Sequence, residues 1–180
     1  MVYVFFADGF EEVEALTVVD LIRRAGIDLR MVSVMGRSRV LGSHGIAIET
    51  DLLFDDIDMP ADMLVLPGGM PGTTNLAAHT GLCALLEEQY QAGRWVAAIC
   101  AAPSVFAALG FLKDRQATSY PGKVTAEDCR IYLEDAVVTD GNVVTSRGVG
   151  TAIAFALKLV ELLTDQATAD RIAESIIYHR

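Results

Sequence analysis

The chain has 180 residues, with 14 basic and 24 acidic side chains, a formal net charge of −10 and an isoelectric point of about 4.6. Because nucleic-acid affinity rests mainly on Lys and Arg, this acidity argues against a nucleic-acid partner. Apolar residues make up 52% of the chain and charged residues 21%, which excludes disorder as the default state. The length predicts one domain over residues 1–180.

The sequence also limits compartment and metal content. The N-terminus lacks the basic segment and the long apolar stretch of a signal peptide, and no apolar run approaches the roughly 18 residues of a membrane span. The cysteines are odd in number and widely separated, a poor disulfide framework: Cys83, Cys100 and Cys129. We therefore expect a cytoplasmic protein without a membrane partner. No metal is expected, because the histidines show no ligand spacing and no CxxC or HExxH motif is present.

The first elements alternate between strand and helix. Residues 2–7 form a short apolar run that suits a strand buried on both faces. A helix is predicted over residues 11–25, where apolar side chains repeat at helical spacing and Gly26 follows as a stop signal. A second strand is predicted at residues 29–34, and residues 46–53 indicate weaker edge strands around a loop.

The middle of the chain continues this pattern. Residues 63–66 predict a third buried strand, which ends at the Pro-Gly-Gly sequence of residues 67–69. A helix is predicted over residues 82–92, and residues 96–99 predict a fourth buried strand. The strand leads into Cys100 and a further helix that begins near Pro103.

The C-terminal part predicts a hairpin and two helices. Residues 136–139 and 143–146 flank an Asp-Gly-Asn sequence, which is a hairpin signal. Apolar residues at helical spacing predict a long helix around residues 152–159 and a last helix around residues 169–176.

Apolar strands that alternate with amphipathic helices predict an α/β fold, with a mostly parallel sheet covered by helices on both faces. Ligands bind beyond the carboxyl ends of the strands in such sheets, which directs attention to the loops at residues 8–14, 67–73 and 100–104. In the second loop, Gly68 and Gly69 let the backbone approach a substrate and direct N–H groups at a developing oxyanion. The alternative for this sequence is an ordinary turn.

Cys100 is the most informative position. It falls between a buried strand and a helix start, among the small neighbours that a nucleophile on a sharp strand-to-helix turn requires. A thiol at a helix N-terminus is expected to ionise more easily, because it lies at the positive end of the helix dipole. The alternative is a buried structural cysteine, since Cys is among the most buried residue types. Cys83 and Cys129 lack this context and are interpreted as packing residues.

Acidic residues cluster at the start of the first helix. Glu11 and Glu12 are interpreted as compensating the helix dipole. Glu14 is a candidate to point across the sheet edge at Cys100. Burial and a nearby thiolate would favour the protonated carboxyl there, which suits a general acid or base.

Five segments, in order, carry a family pattern: DGFEEVE (8–14), DLIRRAG (20–26), LVLPGG (64–69), AAICAAP (97–103) and TSRGVGT (145–151). Together they resemble the ThiJ/PfpI superfamily, a branch of the class I glutamine-amidotransferase-like fold. The chain is most similar to bacterial relatives of the parkinsonism-associated protein deglycase. The resemblance implies a flavodoxin-like three-layer sandwich, usually a homodimer, and no cofactor.

The resemblance also implies a site. Cys100 is implied to be the reactive, easily oxidised cysteine, and Glu14 the carboxyl that hydrogen-bonds its sulfur. The backbone N–H groups of Gly69 and Ala101 are implied to form an oxyanion hole. The activity implied is that of a glyoxalase without glutathione, or of a deglycase that acts on methylglyoxal or glyoxal adducts of proteins or nucleotides. The partner would then be a small aldehyde or a glycated protein.

The chain departs from the superfamily pattern at several positions. Ala101 replaces the His that follows the nucleophile in peptidase-like members, so a Cys-His peptidase is not expected. Tyr120 stands where the deglycase has a His before a proline, and we expect it to contact substrate as a hydrogen-bond donor. Tyrosine is a poor base at neutral pH, so acid–base work falls on Glu14. Arg147 is expected either to attract an anionic substrate group or to form a surface ion pair.

Two other functions stay open at this stage. The protein is alternatively a redox sensor or chaperone whose Cys100 is oxidised by peroxide to a sulfinate held by Glu14. It is otherwise a partner-binding sheet domain without chemistry, in which Cys100 would react no faster than Cys83 or Cys129.

Overall fold

The computed structural model describes residues 1–179, and its central layer is a seven-stranded sheet. In spatial order, the strands are β10 (Val137–Asp140), β11 (Val143–Ser146), β7 (Trp95–Ile99), β6 (Met63–Leu66), β1 (Val2–Phe6), β2 (Leu29–Ser33) and β5 (Leu52–Leu53). Every neighbouring pair is parallel except β10 with β11, which form the predicted hairpin. The central strands are almost wholly apolar because both faces of the sheet are covered.

Six helices cover the sheet within residues 1–179: α1 (Glu12–Arg24), α2 (Gly72–Ala78), α3 (Thr80–Gln91), α4 (Pro103–Ala108), α5 (Ala152–Leu163) and α6 (Gln166–Ser175). Side chains alternate across a strand, so β1 contributes to both cores. Val4 and Phe6 pack with α1, α5 and α6, whereas Tyr3 and Phe5 pack with α2, α3 and α4. The result is the predicted three-layer α/β sandwich of flavodoxin-like type.

Two small sheets lie outside the central one. The hairpin of β3 (Arg39–Leu41) and β4 (Ala47–Glu49) is antiparallel, and β8 (Gln116–Ala117) pairs in parallel with β9 (Ile131–Tyr132). Single 3-10 turns occur at Phe54–Asp56 and Val149–Thr151. The sequence does not predict β3, β8, β9 or the helix α2, because elements this short show no apolar period of their own.

The edge strands expected within residues 46–53 are present as β4 and β5, but they belong to different sheets. Over the described residues, the longest helix is α1 with 13 residues, and no helix combines the length and apolarity that a membrane crossing needs.

Candidate active site

Four loops meet at one edge of the sheet because β11, β7, β6 and β1 are parallel neighbours. The carboxyl ends of parallel strands lie together, and this is where ligands bind in open α/β sheets. The loops after β7, β6 and β1 are the three that the sequence singled out. The loop after β11, which begins at Arg147, joins them.

Cys100 occupies a strained turn directly after β7. Its backbone φ is +66°, in the left-handed region that costs a non-glycine residue roughly 1–2 kcal/mol. Two backbone hydrogen bonds hold this conformation. The Cys100 N–H donates to the Ser146 carbonyl at 3.0 Å, and the Tyr120 N–H donates to the Cys100 carbonyl at 2.8 Å. The turn and its supports therefore fix the direction of the thiol.

Glu14 lies in the first turn of α1 with its side chain fully buried. Its Oε2 accepts a hydrogen bond from the Gly68 N–H at 3.0 Å. Its Oε1 has no nitrogen or oxygen partner and lies beside the sulfur of Cys100. Both atoms are 3.8 Å from the point that a Cβ on Gly148 would occupy. The structure thus brings the predicted carboxyl and the predicted thiol together.

Burial changes the protonation of this pair. It raises the pKa of the Glu14 carboxyl to about 7, against the opposing effect of the hydrogen bond with Cys100. Burial, followed by the charge of Glu14, raises the pKa of the Cys100 thiol to about 12. The expectation that a helix N-terminus makes this thiol more acidic is therefore wrong. The short helix α4 begins only at Pro103, and burial together with the charge of Glu14 outweighs the backbone donors beside the sulfur.

The two groups titrate as a pair, because each lies within reach of the other's charge. Above pH 7 the pair holds a single proton. The thiolate form of Cys100 is reached when this proton moves to Glu14, whose O–H then donates to the sulfur. The pair can therefore form a thiolate by internal proton transfer, without a low thiol pKa.

Backbone donors also surround the sulfur. The N–H groups of Ala101 and Gly69 donate hydrogen bonds to Cys100 and lower the thiol pKa, although burial outweighs them. Gly69 has a φ of +91°, and a Cβ there would lie 2.4 Å from the carbonyl oxygen of Gly9 and from the nitrogen of Glu11. Only glycine fits this position, so the loop after β6 can bring its N–H groups to the sulfur.

We predict that Gly68→Ala disrupts this site. A Cβ at position 68 would lie 2.6 Å from the Cys100 Cβ and 2.6 Å from Glu14 Oε2, so one of the two side chains must move. The free energy of unfolding should fall by about 1–3 kcal/mol, the range expected for overpacking. Chemical denaturation measures this change. Unaltered stability together with an unaltered iodoacetamide rate at Cys100 would contradict the packing described here.

A cleft of about 510 Å³ opens above the thiol. Tyr120 and Arg147, both predicted to contact substrate, line it. The Arg147 guanidinium donates to the Glu134 carbonyl at 3.0 Å, and its Nη1 lies 3.7 Å from the Glu134 carboxylate. Arg147 therefore forms the ion pair that was one of its two expected roles, and it also lines the cleft. The sequence missed Val149 and Thr151 as cleft residues, although both lie in the TSRGVGT segment.

The raised pKa of Glu14 predicts a stability effect with a defined sign. Between pH 4.5 and about 7 the folded protein keeps a proton that the unfolded chain has lost, so stability falls as pH rises through this window. The carboxyl then destabilises the fold by about 3 kcal/mol at pH 8. Glu14→Gln should remove this effect.

Urea unfolding at pH 5 and pH 8 measures the prediction. The variant should gain stability over the wild type at pH 8 and gain little at pH 5. Titrating groups that do not interact with Glu14 cancel in this difference because both proteins contain them. An equal gain at both pH values would contradict the protonation state assigned to Glu14.

One group of potential metal ligands occurs in the described part of the chain. The ligand atoms of Glu11, Glu12 and His44 all lie within 4.8 Å of one another. The sequence spacing of His44 gave no sign of this, because tertiary folding brings its loop to α1. Glu12 accepts from the His44 N–H at 2.8 Å, and its Oε2 lies 2.9 Å from His44 Nδ1. These hydrogen bonds connect the turn of the β3–β4 hairpin to the start of α1.

The fold and the site together define a class of protein: a flavodoxin-like sandwich with a cysteine on the turn after a central strand, paired with a buried carboxyl. The sequence profile described as the DJ-1/PfpI family matches residues 1–162, and the chain belongs to that family.

Individual proteins agree with this assignment. Protein DJ-1 homolog A of Arabidopsis thaliana is 37% identical over 175 residues, covering 95% of this chain, which spans only 45% of that protein's length. Deglycase TK1284 of Thermococcus kodakarensis is 34% identical over 169 residues, covering 90% of this chain and 98% of the relative. The solved structure of oxidized Toxoplasma gondii DJ-1 has a TM-score of 0.94 and 34% identity, covering 99% of this chain and 98% of that one.

Proposed function

We propose that the protein is a cysteine-dependent glyoxalase or deglycase that acts on methylglyoxal, glyoxal and their adducts without glutathione. The observation that carries this proposal is the pairing of a buried carboxyl, with its pKa raised to about 7, and the Cys100 thiol. Such a carboxyl can release and take up a proton at physiological pH, as this chemistry requires. The similarity to a protein named as a deglycase supports the same class of substrate.

The proposed reaction begins with covalent capture. The proton of the pair moves to Glu14, and the Cys100 thiolate adds to the aldehyde carbon of methylglyoxal. The carbonyl electron pair moves to oxygen, and the N–H groups of Gly69 and Ala101 stabilise the resulting oxyanion. Glu14 then protonates this oxygen, which gives a neutral hemithioacetal.

Isomerisation and hydrolysis follow. The Glu14 carboxylate removes the proton from the former aldehyde carbon and delivers it to the oxygen of the neighbouring carbonyl, which gives an enediol. Glu14 then takes the proton from the hydroxyl group on the first carbon and returns it to the neighbouring carbon, which gives a thioester. The first carbon is thereby oxidised and the second is reduced without an external oxidant. Water cleaves the thioester, which releases lactate and regenerates the thiol. Glyoxal gives glycolate by the same steps.

Formation of lactate from methylglyoxal in a glutathione-free buffer tests the proposal. Deglycase action is separated from glyoxalase action by adding methylglyoxal–lysine adduct and measuring free methylglyoxal at the same time. If lactate forms no faster than the free methylglyoxal in solution can account for, the protein is a glyoxalase. If lactate forms faster than that, the protein acts on the adduct and is a deglycase. Absence of both activities in the purified protein would overturn the proposal.

A second candidate function is peroxide sensing through Cys100, with a chaperone activity that depends on oxidation. The backbone donors of Gly69 and Ala101 and a protonated Glu14 suit a sulfinate, which is anionic and accepts hydrogen bonds. The similar Toxoplasma gondii protein is named as oxidized in its solved structure. Two equivalents of peroxide convert the thiolate to the sulfinate and release two waters.

Mass spectrometry after mild peroxide treatment tests this candidate. The expected result is a gain of two oxygen atoms at Cys100. Cys83 and Cys129 should stay unmodified and serve as internal controls. Suppression of client aggregation should appear only after oxidation. Equal oxidation of all the cysteines would contradict a sensor role.

The homodimer, the single domain and the cytoplasmic location stay predictions. Light scattering in solution measures the mass of the assembly directly, and a mass near twice 19.4 kDa is the expected result.

A further inference from the structure

The space directly above the reactive sulfur depends on one missing side chain. A Cβ at Gly148 would lie 3.8 Å from the Cys100 sulfur, 3.8 Å from Glu14 Oε1 and 3.7 Å from Tyr120 Cδ2. One methyl group at this position would thus touch the thiol, the carboxyl and the aromatic ring at the same time. Any substituent on the carbon that sulfur attacks competes for this space.

Glycine is not needed at position 148 for the backbone or for packing. Its φ is 160°, which is extended backbone that any residue adopts. The three contacts of a Cβ at this position are ordinary van der Waals distances, so the folded protein has room for a methyl group. The open space at Gly148 is therefore available to a ligand.

The loop that carries Gly148 is held in place. Thr151 Oγ1 accepts hydrogen bonds from the Gly148 N–H at 3.1 Å and from the Arg147 N–H at 3.2 Å. The Thr151 N–H donates back to the Gly148 carbonyl at 2.9 Å. The space above the sulfur is consequently preformed and does not depend on a loop closing.

Two half-exposed side chains form an apolar part of the wall of this space. Tyr120 is 53% exposed and Val149 is 49% exposed, and both line the cleft beside the thiol. The cleft volume of about 510 Å³ is several times that of a two-carbon dialdehyde. Clefts of roughly 300–1,000 Å³ with apolar walls usually hold larger ligands.

We infer that Tyr120, Gly148 and Val149 form a subsite for an apolar substituent of the electrophile, and that Gly148 sets how bulky this substituent can be. The part of this inference that concerns substrates rests on the proposed function. It assigns to the site 2-oxoaldehydes with an alkyl or aryl group in addition to the smallest dialdehyde. It makes Gly148 a specificity-determining residue.

Turnover of glyoxal, methylglyoxal and phenylglyoxal by wild type, Gly148→Ala and Gly150→Ala tests the inference. Gly150 is a matched control, because it lies in the same loop and a Cβ there meets nothing within 4 Å. For Gly148→Ala, the ratio of kcat/KM for phenylglyoxal to that for glyoxal should fall at least about tenfold, the size of effect that one methyl group has in a pocket. For Gly150→Ala this ratio should stay at the wild-type value.

A second readout needs no turnover. Alkylation of Cys100 by iodoacetamide and by N-phenylmaleimide is followed by mass spectrometry, and Gly148→Ala should slow the bulky reagent more than the small one. Tyr120→Ala removes an exposed wall without a folding risk and should lower phenylglyoxal turnover relative to glyoxal about fivefold.

The two proposals fail in different ways. If no 2-oxoaldehyde is converted while the alkylation selectivity changes as expected, the proposed function is overturned and the subsite stands. If Gly148→Ala affects small and bulky reagents equally, the subsite is overturned whether or not the enzyme is active.

Discussion

Cys100→Ser is expected to lower kcat/KM for methylglyoxal by at least about a thousandfold, because the reaction loses its nucleophile. A serine oxygen is a much weaker nucleophile than a thiolate sulfur, so the hydroxyl does not replace Cys100 in the addition step. Serine is close to cysteine in size, so the strained turn and its backbone hydrogen bonds should persist. Lactate formation measures the loss, and a thermal melt verifies that the variant is folded.

Cys83→Ser is the matched control for this experiment. Cys83 is a partly buried free cysteine on α3, outside the candidate site, and its thiol contacts the Ala77 carbonyl at 3.4 Å. The control should keep the wild-type rate. Activity that survives in Cys100→Ser would remove the proposed nucleophile and would move the chemistry elsewhere in the cleft.

Glu14→Gln is expected to reduce kcat by about a hundredfold to ten-thousandfold, the range that general acid–base catalysis contributes. The amide keeps the shape of the carboxyl and an oxygen that accepts from the Gly68 N–H, but it cannot carry a proton between sulfur, oxygen and carbon. Glu14→Asp retains an acid at a greater distance and should recover part of the rate. A merely structural role would not distinguish Gln from Asp in this order.

The pH profile gives an independent test of Glu14. The active form is the pair with one proton, so kcat/KM of the wild type should rise with pH through about 7 and then level off. In Glu14→Gln this limb should disappear. A wild-type profile that is flat from pH 5 to pH 9, or a variant that keeps the limb, would contradict the assignment.

Much of the fold follows from local pattern. The apolar runs at residues 2–7, 63–66 and 96–99 predict buried strands because a sheet covered on both faces leaves no place for polar side chains. The order of the strands in the sheet does not follow from these apolar runs. The short strands β8 and β9 pair through only two residues each, and their positions depend on neighbours distant in sequence.

The sequence anticipated that Glu14 approaches Cys100 and that its pKa rises, but it did not anticipate the rise in the Cys100 pKa. The sequence places Cys100 and Glu14 just beyond the carboxyl ends of two parallel strands, and therefore at one edge of the sheet, and the family pattern implies that they are partners. Neither reveals how strongly the Cys100 thiol is desolvated, and this burial raises its pKa against the expected direction. The approach of His44 to Glu12 is likewise a product of tertiary folding, since 32 positions separate the two residues.

The proton shared between sulfur and carboxyl has a consequence for the energetics of capture. Before the electrophile arrives, the sulfur and the carboxyl group hold one proton between them and together carry one negative charge. After addition and proton transfer, the neutral hemithioacetal and the carboxylate carry the same total. Covalent bond formation in this enclosed place consequently neither creates nor removes net charge, so the surrounding apolar medium need not reorganise around a new ion, and the step exchanges no proton with bulk solvent.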